Sequence, residues 1–393
     1  MKILYILRHN PWGIGGGCYA SHCYLNVFTK VFENAKFDVC LCSEYLGSKR
    51  QLETYPNVNF VKVSERSKVE KAMSSITGLL HRFDGVARNM LKTGVYDYCV
   101  FDHNSIAGPL VGLCRKMGVK SIVINHNCEY DYYRDNHSLI ERAVFSRHVR
   151  NVERKSYLGC DYNIFLTEED KELFERLYGI SGTRSIVTGC FDESGNQNSN
   201  PNEHEPIATN DSHNPHVRII ISGTIGNIQN MDGINFFIKE LLPSVPQDAE
   251  VIIAGKNPPT SLSIEIETLN QTGNYAPITL IPNPEDMMSI VSGCDIFLCP
   301  TRLGGGLKLR VMDGLRAGLP VIAHQVSARG YSEFKKAGML WSFESPEEFR
   351  QALIAVLSHL QAGNVKKEDI KMKAKREFSF DEKVNVLRTI ILR

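Results

Sequence analysis

No stretch of the 393 residues stays apolar for the roughly twenty positions that a membrane-spanning helix needs. A transmembrane protein is therefore not expected. Net charge is nearly absent: 45 Lys and Arg oppose 44 Asp and Glu, leaving +1. Such a surface gives duplex nucleic acid no bulk attraction, so nucleic acid is not an expected partner. There are eleven cysteines, but they form no C-x-x-C pair and no zinc-ligand spacing. Cys18, Cys23, Cys40, Cys42, Cys99, Cys294 and Cys299 lie in or beside apolar runs. That fits buried, reduced thiols of a cytosolic protein. The G-x-G-x-x-G dinucleotide pattern is missing as well, because Gly13, Gly15, Gly16 and Gly17 are spaced differently. A signal peptide is not expected either: MKILYILRHN is too short for one and reads as a first strand.

What is present is an ordinary globular composition, 42% hydrophobic and 23% charged, over a length that suits two domains. Apolar runs at Lys2 to Leu7, Phe37 to Cys42, Asn59 to Val63, Tyr96 to Phe101, Val119 to Asn125, Tyr162 to Leu166 and Ser185 to Val187 read as strands. Helical stretches alternate with several of them, which predicts a parallel sheet covered on both faces. Residues 193–216 are almost free of apolar groups and read as a polar linker. The domains expected are 1–192, with a last helix over 379–393 packing back on it, and 217–378. The second begins with the strand Val217 to Ser222. Strands Glu250 to Ala254 and Ile278 to Ile281 follow, and Asn283 before Pro284 predicts a helix start there. Thr167-x-x-Asp170 and Ser379-x-x-Glu382 read as capping boxes.

The most informative stretch is CPTRLGGGLKLRVMDGLRAGLPVIAHQVSARGY, residues 299–331. An apolar strand ends at Pro300. The glycines Gly304, Gly305 and Gly306 follow, then a helix whose apolar face is Leu307, Val311 and Leu315, ended by Gly318 and Pro320. A glycine loop feeding a helix N-terminus binds anions. Lys308 and Arg310 in the first turn oppose the helix dipole, and an anionic ligand would explain them. Asp313, one turn after Arg310, is either its ion-pair partner or a carboxylate turned to ribose hydroxyls. In the first half, the strand SIVIN stops directly before Asn125-His126-Asn127-Cys128-Glu129, so His126 stands at a strand's carboxyl end, where such sheets bind ligands. Asp102-His103-Asn104 ends the preceding strand in the same way.

The stretch 299–331 resembles the signature of retaining GT-B glycosyltransferases of family four. The flanks SGTIGNIQNMDGINFF and IPNPEDMMSIVSGCDIFLCP, and the loop Ala328-Arg329-Gly330-Tyr331, resemble that family's blocks in the same order. Family members often carry two acids seven residues apart here. Asp313 stands at the second position and Gly305 at the first. The resemblance implies an α/β GT-B fold, two Rossmann-like doubly wound domains facing a cleft. It implies transfer of a sugar from a nucleotide-diphosphate sugar, with no other cofactor, to a glycan, lipid-linked or other hydroxyl acceptor. His126, Lys308 and Arg310 take the catalytic roles. Gly16, Gly17, Thr224, Asn227, Lys256, Ile281, Gly304, Gly305, Gly306, Leu307 and Asp313 take the donor-binding ones.

No D-x-D element stands at a strand end, since Asp131 and Asp135 fall on a helix or loop, so no metal is expected. Arg147, Arg150 and Arg154 share one face of the basic helix 139–157. They read as a solvated face or, since relatives act on lipid-linked acceptors, as a patch for an anionic membrane surface. The expected location is the cytoplasm, with peripheral association at the inner face of the membrane. Gly305 also keeps open a catalytically inactive GT-B binding or chaperone subunit, and a nucleotide-sugar epimerase is the third reading.

Overall fold

A computed structural model of the chain describes residues 1–13, 15–42, 52–64, 83–136, 139–189, 191–192 and 217–393. The expected linker 193–216 lies outside these residues. The chain divides into two compact units, Met1–Glu193 with Ser379–Arg393, and Ser194–Phe378.

The strands of the first unit are β1 (Lys2–Ile6), β2 (Lys36–Cys42), β3 (Val58–Val63), β4 (Tyr98–Phe101), β5 (Lys120–Asn125), β6 (Tyr162–Phe165) and β7 (Arg184–Val187). Its helices are α1 (Gly16–Val31), α2 (Phe83–Thr93), α3 (Asn104–Ala107), α4 (Val111–Met117), α5 (Glu129–Asn136), α6 (Leu139–Gly159) and α7 (Glu168–Tyr178). The strands pair in parallel in the order β3-β2-β1-β4-β5-β6-β7. Strands such as KILYI and YCVF are apolar on both faces because helices cover both. Between β1 and β4 the direction of strand progression reverses. Loops leaving neighbouring strands there diverge to opposite faces and leave a crevice at the carboxyl ends.

The second unit holds β8 (Arg218–Thr224), β9 (Glu250–Lys256), β10 (Ile278–Pro282), β11 (Ile296–Cys299), β12 (Val321–His324) and β13 (Leu340–Phe343). Its helices are α8 (Ile228–Phe236), α9 (Thr260–Thr272), α10 (Met287–Ser292), α11 (Leu309–Arg316), α12 (Ser332–Lys336), α13 (Pro346–Gln361) and α14 (Lys367–Glu377). Its sheet is also parallel, ordered β10-β9-β8-β11-β12-β13, with the reversal between β8 and β11. A core of Ile219, Val251, Ile253, Phe237, Leu241 and Phe349 lies under it. At Gly314 an added Cβ would come 2.5 Å from the Phe297 ring, so this glycine lets α11 press directly on β11.

The last helix, α15 (Phe380–Ile391), belongs to the first unit. Ser379 caps it by accepting from the Glu382 N–H, and Arg388 donates to the Lys30 carbonyl at the end of α1. Thr167 likewise accepts from the Asp170 N–H at the start of α7. One expected cap is not found. Asn283 has a positive φ of 48°, and its side chain accepts from the Asn257 N–H at 2.9 Å. Turned to that neighbouring loop, it cannot start a helix. Asp286 caps α10 instead, accepting from the Ser289 N–H. Asn227 caps α8, accepting from the Gln229 N–H. All ten described cysteines are free thiols, nine buried and Cys18 half-buried.

Candidate active site

In the second unit the reversal point is occupied by a cation. Arg310, the second residue of α11, reaches between the ends of β8 and β11. It donates to Asn230 Oδ1 at 2.5 Å, and to the Ser222 carbonyl and Thr301 Oγ1 at 3.5 Å. These partners are all neutral, and among the described residues no carboxylate pairs with this guanidinium. Asp313 is half-buried and is not one of its partners, so the one-turn ion pair does not form. Gly223 sits under the guanidinium with φ 140°, where a Cβ would come 3.1 Å from it. Ser222, Gly223, Asn230, Pro300, Thr301 and Arg310 line a pocket at this corner.

Lys308 lies beside it as the residue before α11, and its chain is buried to 8% exposure. Its Nζ donates to Gln229 Oε1 at 3.3 Å. The two cations are thus held by Gln229 and Asn230, adjacent residues at the start of α8. Two helix N-termini meet at one place, and both present positive dipole ends. No side chain caps α11, so its first N–H groups are left for another acceptor. Gly304 and Gly306 take positive φ of 86° and 70°, which bends the loop around this spot. Ser327 donates to the Thr301 carbonyl at 2.5 Å and Tyr331 to the Lys308 carbonyl at 2.9 Å, so the 327–331 loop braces the corner from behind. Gly305 and Leu307 are half-buried in the same loop. Thr224, Asn227 and Lys256 are exposed at strand and helix ends, Thr224 and Lys256 facing each other across β8 and β9. Ile281 is not brought to the cations: it is the penultimate residue of β10, two strands from β8.

In the first unit the ends of β1, β4 and β5 bring three histidines together. His9 lies 6.0 Å from both His103 and His126, ring centroid to ring centroid and edge-on, and the latter two stack at 5.8 Å. His126 Nε2 donates to Asp102 Oδ1 at 2.9 Å. Asp102 is fully buried and also accepts from Ser21 in α1. With Nε2 carrying the proton, the Nδ1 of His126 is the acceptor nitrogen, and no described residue bonds to it.

His103 is tied on both sides. Its Nδ1 accepts from Arg8 and from the Ser105 N–H, and its Nε2 donates to Glu129 at 3.0 Å. Burial, reinforced by Arg8, lowers His103 to about 3, so it is neutral at physiological pH. Burial alone would raise Glu129. His103 and the permanent charge of Arg8 outweigh it and keep the carboxylate ionised. Gly16 and Gly17 open α1 beside these rings. A Cβ on Gly17 would come 3.2 Å from His9, and Gly15 before them has φ 126°.

Behind this cluster lies Glu153 of α6, 1% exposed. It accepts from the Glu129 N–H at 2.7 Å, from Asn104 Nδ2 at 2.9 Å and from the Tyr178 hydroxyl at 2.6 Å, and so anchors the start of α5. Burial pushes its carboxyl up to about 7 against these bonds. Arg147, Arg150 and Arg154 are exposed on α6. Among the described residues no group of three His, Cys, Asp or Glu side chains converges as metal ligands would, and no helix is long and apolar enough to cross a membrane.

Sequence reasoning singled out His126, Lys308 and Arg310, which the structure places at the two reversal points, but passed over their neighbours Arg8, His9, Gln229 and Thr301. Their one signal is position: each stands within a few residues of a strand's end or a helix's start.

Two parallel, doubly wound sheets, each with polar groups gathered at its reversal point, define the GT-B architecture. Solved structures share it over the whole chain. The HepE protein of Anabaena in complex with UDP matches with a TM-score of 0.64 at 13% identity, covering 100% of this chain and 99% of that one. Sucrose-phosphate synthase of Thermosynechococcus elongatus matches at 0.67 and 13%, covering 99% and 98%. WaaG, a glycosyltransferase involved in lipopolysaccharide biosynthesis, matches at 0.66 and 14%, covering 98% and 99%. No curated protein matches the chain in sequence. Residues 218–359 match the family Glycosyl transferases group 1.

Proposed function

We propose that this protein is a group 1 glycosyltransferase that moves a sugar from a nucleotide-diphosphate sugar to a hydroxyl of a glycan or lipid-linked acceptor, with retention at the anomeric carbon. The observation that carries the reading is Arg310, a half-buried guanidinium with neutral partners only, at an uncapped helix N-terminus beside Lys308. A diphosphate is a ligand that such a corner suits. As the anomeric C–O bond breaks, charge moves onto the leaving diphosphate. Lys308, Arg310 and the N–H groups from Gly304 to Leu309 would receive it.

This supply of positive charge is the reason to expect turnover without a divalent metal. Retention without a carboxylate nucleophile fits front-face attack, in which the leaving phosphate takes the acceptor's proton. The free Nδ1 of His126 is suited to hold a sugar hydroxyl. Thr224, Asn227 and Asp313 would meet ribose or phosphate groups, Lys256 a phosphate, and the backbone at Ile281 the base. HepE was solved with UDP, so UDP-sugars are the first donors to try.

A thermal-shift panel of UDP-, GDP- and ADP-sugars tests the reading, since a ligand at a hundred times its Kd stabilises by about 2.7 kcal/mol. The bound donor should then be consumed in the presence of EDTA. A protein that no sugar nucleotide stabilises, or that binds one and neither transfers nor hydrolyses it, overturns the proposal.

A further inference from the structure

We infer that His9 is a second substrate-contacting histidine, which hydrogen-bonds a hydroxyl of the acceptor sugar alongside His126. The inference rests on the transferase reading and adds to it a residue that no motif marks.

The first argument is the difference between the three clustered rings. His126 is held by Asp102, and His103 is held by Glu129, Arg8 and Ser105. Neither nitrogen of His9 bonds to any described residue, and the ring is half-buried rather than pushed out to solvent. A part-buried imidazole with both nitrogens unused wastes two hydrogen bonds unless something else takes them. Its edge-on contacts at 6.0 Å with both other histidines fix the ring in place without occupying the nitrogens.

The second argument is that the backbone makes room for the ring. Gly17 lies directly beneath it, and a Cβ there would come 3.2 to 3.3 Å from three ring atoms. The third is charge. Burial, with Arg8 and His126 acting in the same direction and Asp102 and Glu129 against, lowers His9 to about 4. At neutral pH the ring therefore has one N–H donor and one acceptor nitrogen. A hydroxyl is likewise donor and acceptor, so the two are matched, and an anion would not be. The Nδ1 of His126 offers a further acceptor next to it, so the pair can hold neighbouring hydroxyls of a single sugar ring.

The test compares wild type with His9→Phe, His9→Asn and His9→Ala. The donor is the sugar nucleotide selected by thermal shift, and a panel of octyl glycosides serves as acceptor probe. His9→Phe keeps an aromatic ring against His103 and His126 and over Gly17 but removes both nitrogens. It should melt with wild type and show the same donor-induced shift, yet lose at least tenfold in kcat/KM for the acceptor. His9→Asn should recover part of that loss. Diethyl pyrocarbonate at pH 6 should modify His9 in the free protein, as read by peptide mass, and the productive glycoside should slow that modification.

Full acceptor kcat/KM in His9→Phe, or no protection of His9 by a glycoside that wild type glycosylates, overturns the inference and leaves the transferase intact. A wild type inactive with every donor overturns the transferase reading and this inference with it.

Discussion

The Nε2 of His126 stands 2.9 Å from the carboxylate of Asp102, which is completely buried. The pair settles that Nε2 carries the proton and leaves Nδ1 as the acceptor nitrogen. A catalytic role for this ring depends on that orientation. His126→Ala should lower kcat/KM on the order of a hundredfold or more while leaving the donor-induced thermal shift unchanged. Asp102→Asn should also lower kcat, because the neutral amide holds the imidazole less firmly. Steady-state kinetics beside donor thermal shifts check both, and a loss confined to donor binding would argue against the role.

Lys308→Ala and Arg310→Ala should each cost on the order of a hundred- to a thousandfold in kcat/KM, about 3 to 4 kcal/mol of transition-state stabilisation. Arg310→Ala should have the larger effect on donor affinity, since its guanidinium has no carboxylate to neutralise it before ligand arrives. Kinetics on the purified variants decide this. Unchanged kcat/KM in both would remove the diphosphate from this corner.

Glu153 predicts a pH effect of definite sign. Its folded value, raised to about 7 from the ordinary 4.5, means that the folded protein keeps a proton the unfolded chain has released. This group's contribution to stability is therefore most favourable below about pH 4.5 and is lost progressively as pH rises to about 7. The total swing is about 3 kcal/mol. Glu153→Gln removes that titration, although its amide N–H₂ opposes the donors around it and lowers stability at acid pH. The difference in unfolding free energy between variant and wild type should shift in the variant's favour as pH rises from 4.5 to 7. Urea unfolding at several pH values measures it, and a difference independent of pH would show that the carboxyl is ionised throughout.

Two glycines should respond differently to alanine. At Gly304 the positive φ of 86° costs a side chain about 1 to 2 kcal/mol, and the new methyl lands on the Gln229 carboxamide, which can swing aside. Gly304→Ala should fold, slightly destabilised, with weakened donor binding because Lys308 loses its bond to Gln229. At Gly255 the methyl would collide with the Gly223 carbonyl in the adjacent strand, which is backbone and cannot move alone. Gly255→Ala should melt far earlier. Circular dichroism melts and donor thermal shifts of the two variants separate these outcomes.

Where the sequence was legible, one physical reason recurs. A strand buried on both faces must be continuously apolar, so most runs named from the sequence end within a residue or two of the observed strands, as at Lys2–Ile6 and Glu250–Lys256. The glycine loop and α11 were legible because helix ends and positive φ restrict residue choice. Asn283 was misread because an Asn before Pro fits a cap and a left-handed turn equally well. Only the contact with Asn257 distinguishes the two.

The sequence alone determined two parallel doubly wound sheets, the pairing of Lys308 and Arg310 at the start of α11, and the place of His126 at a strand's end, since each is encoded by neighbours along the chain. Only the tertiary structure decided that Arg310 bonds Asn230 rather than Asp313, and that His9, Asp102 and His126 form one cluster. Those residues come from the ends of β1, β4 and β5. They meet because strand order, which hydrogen-bond pairing decides and local pattern does not record, places β4 beside β1 and β5 beside β4.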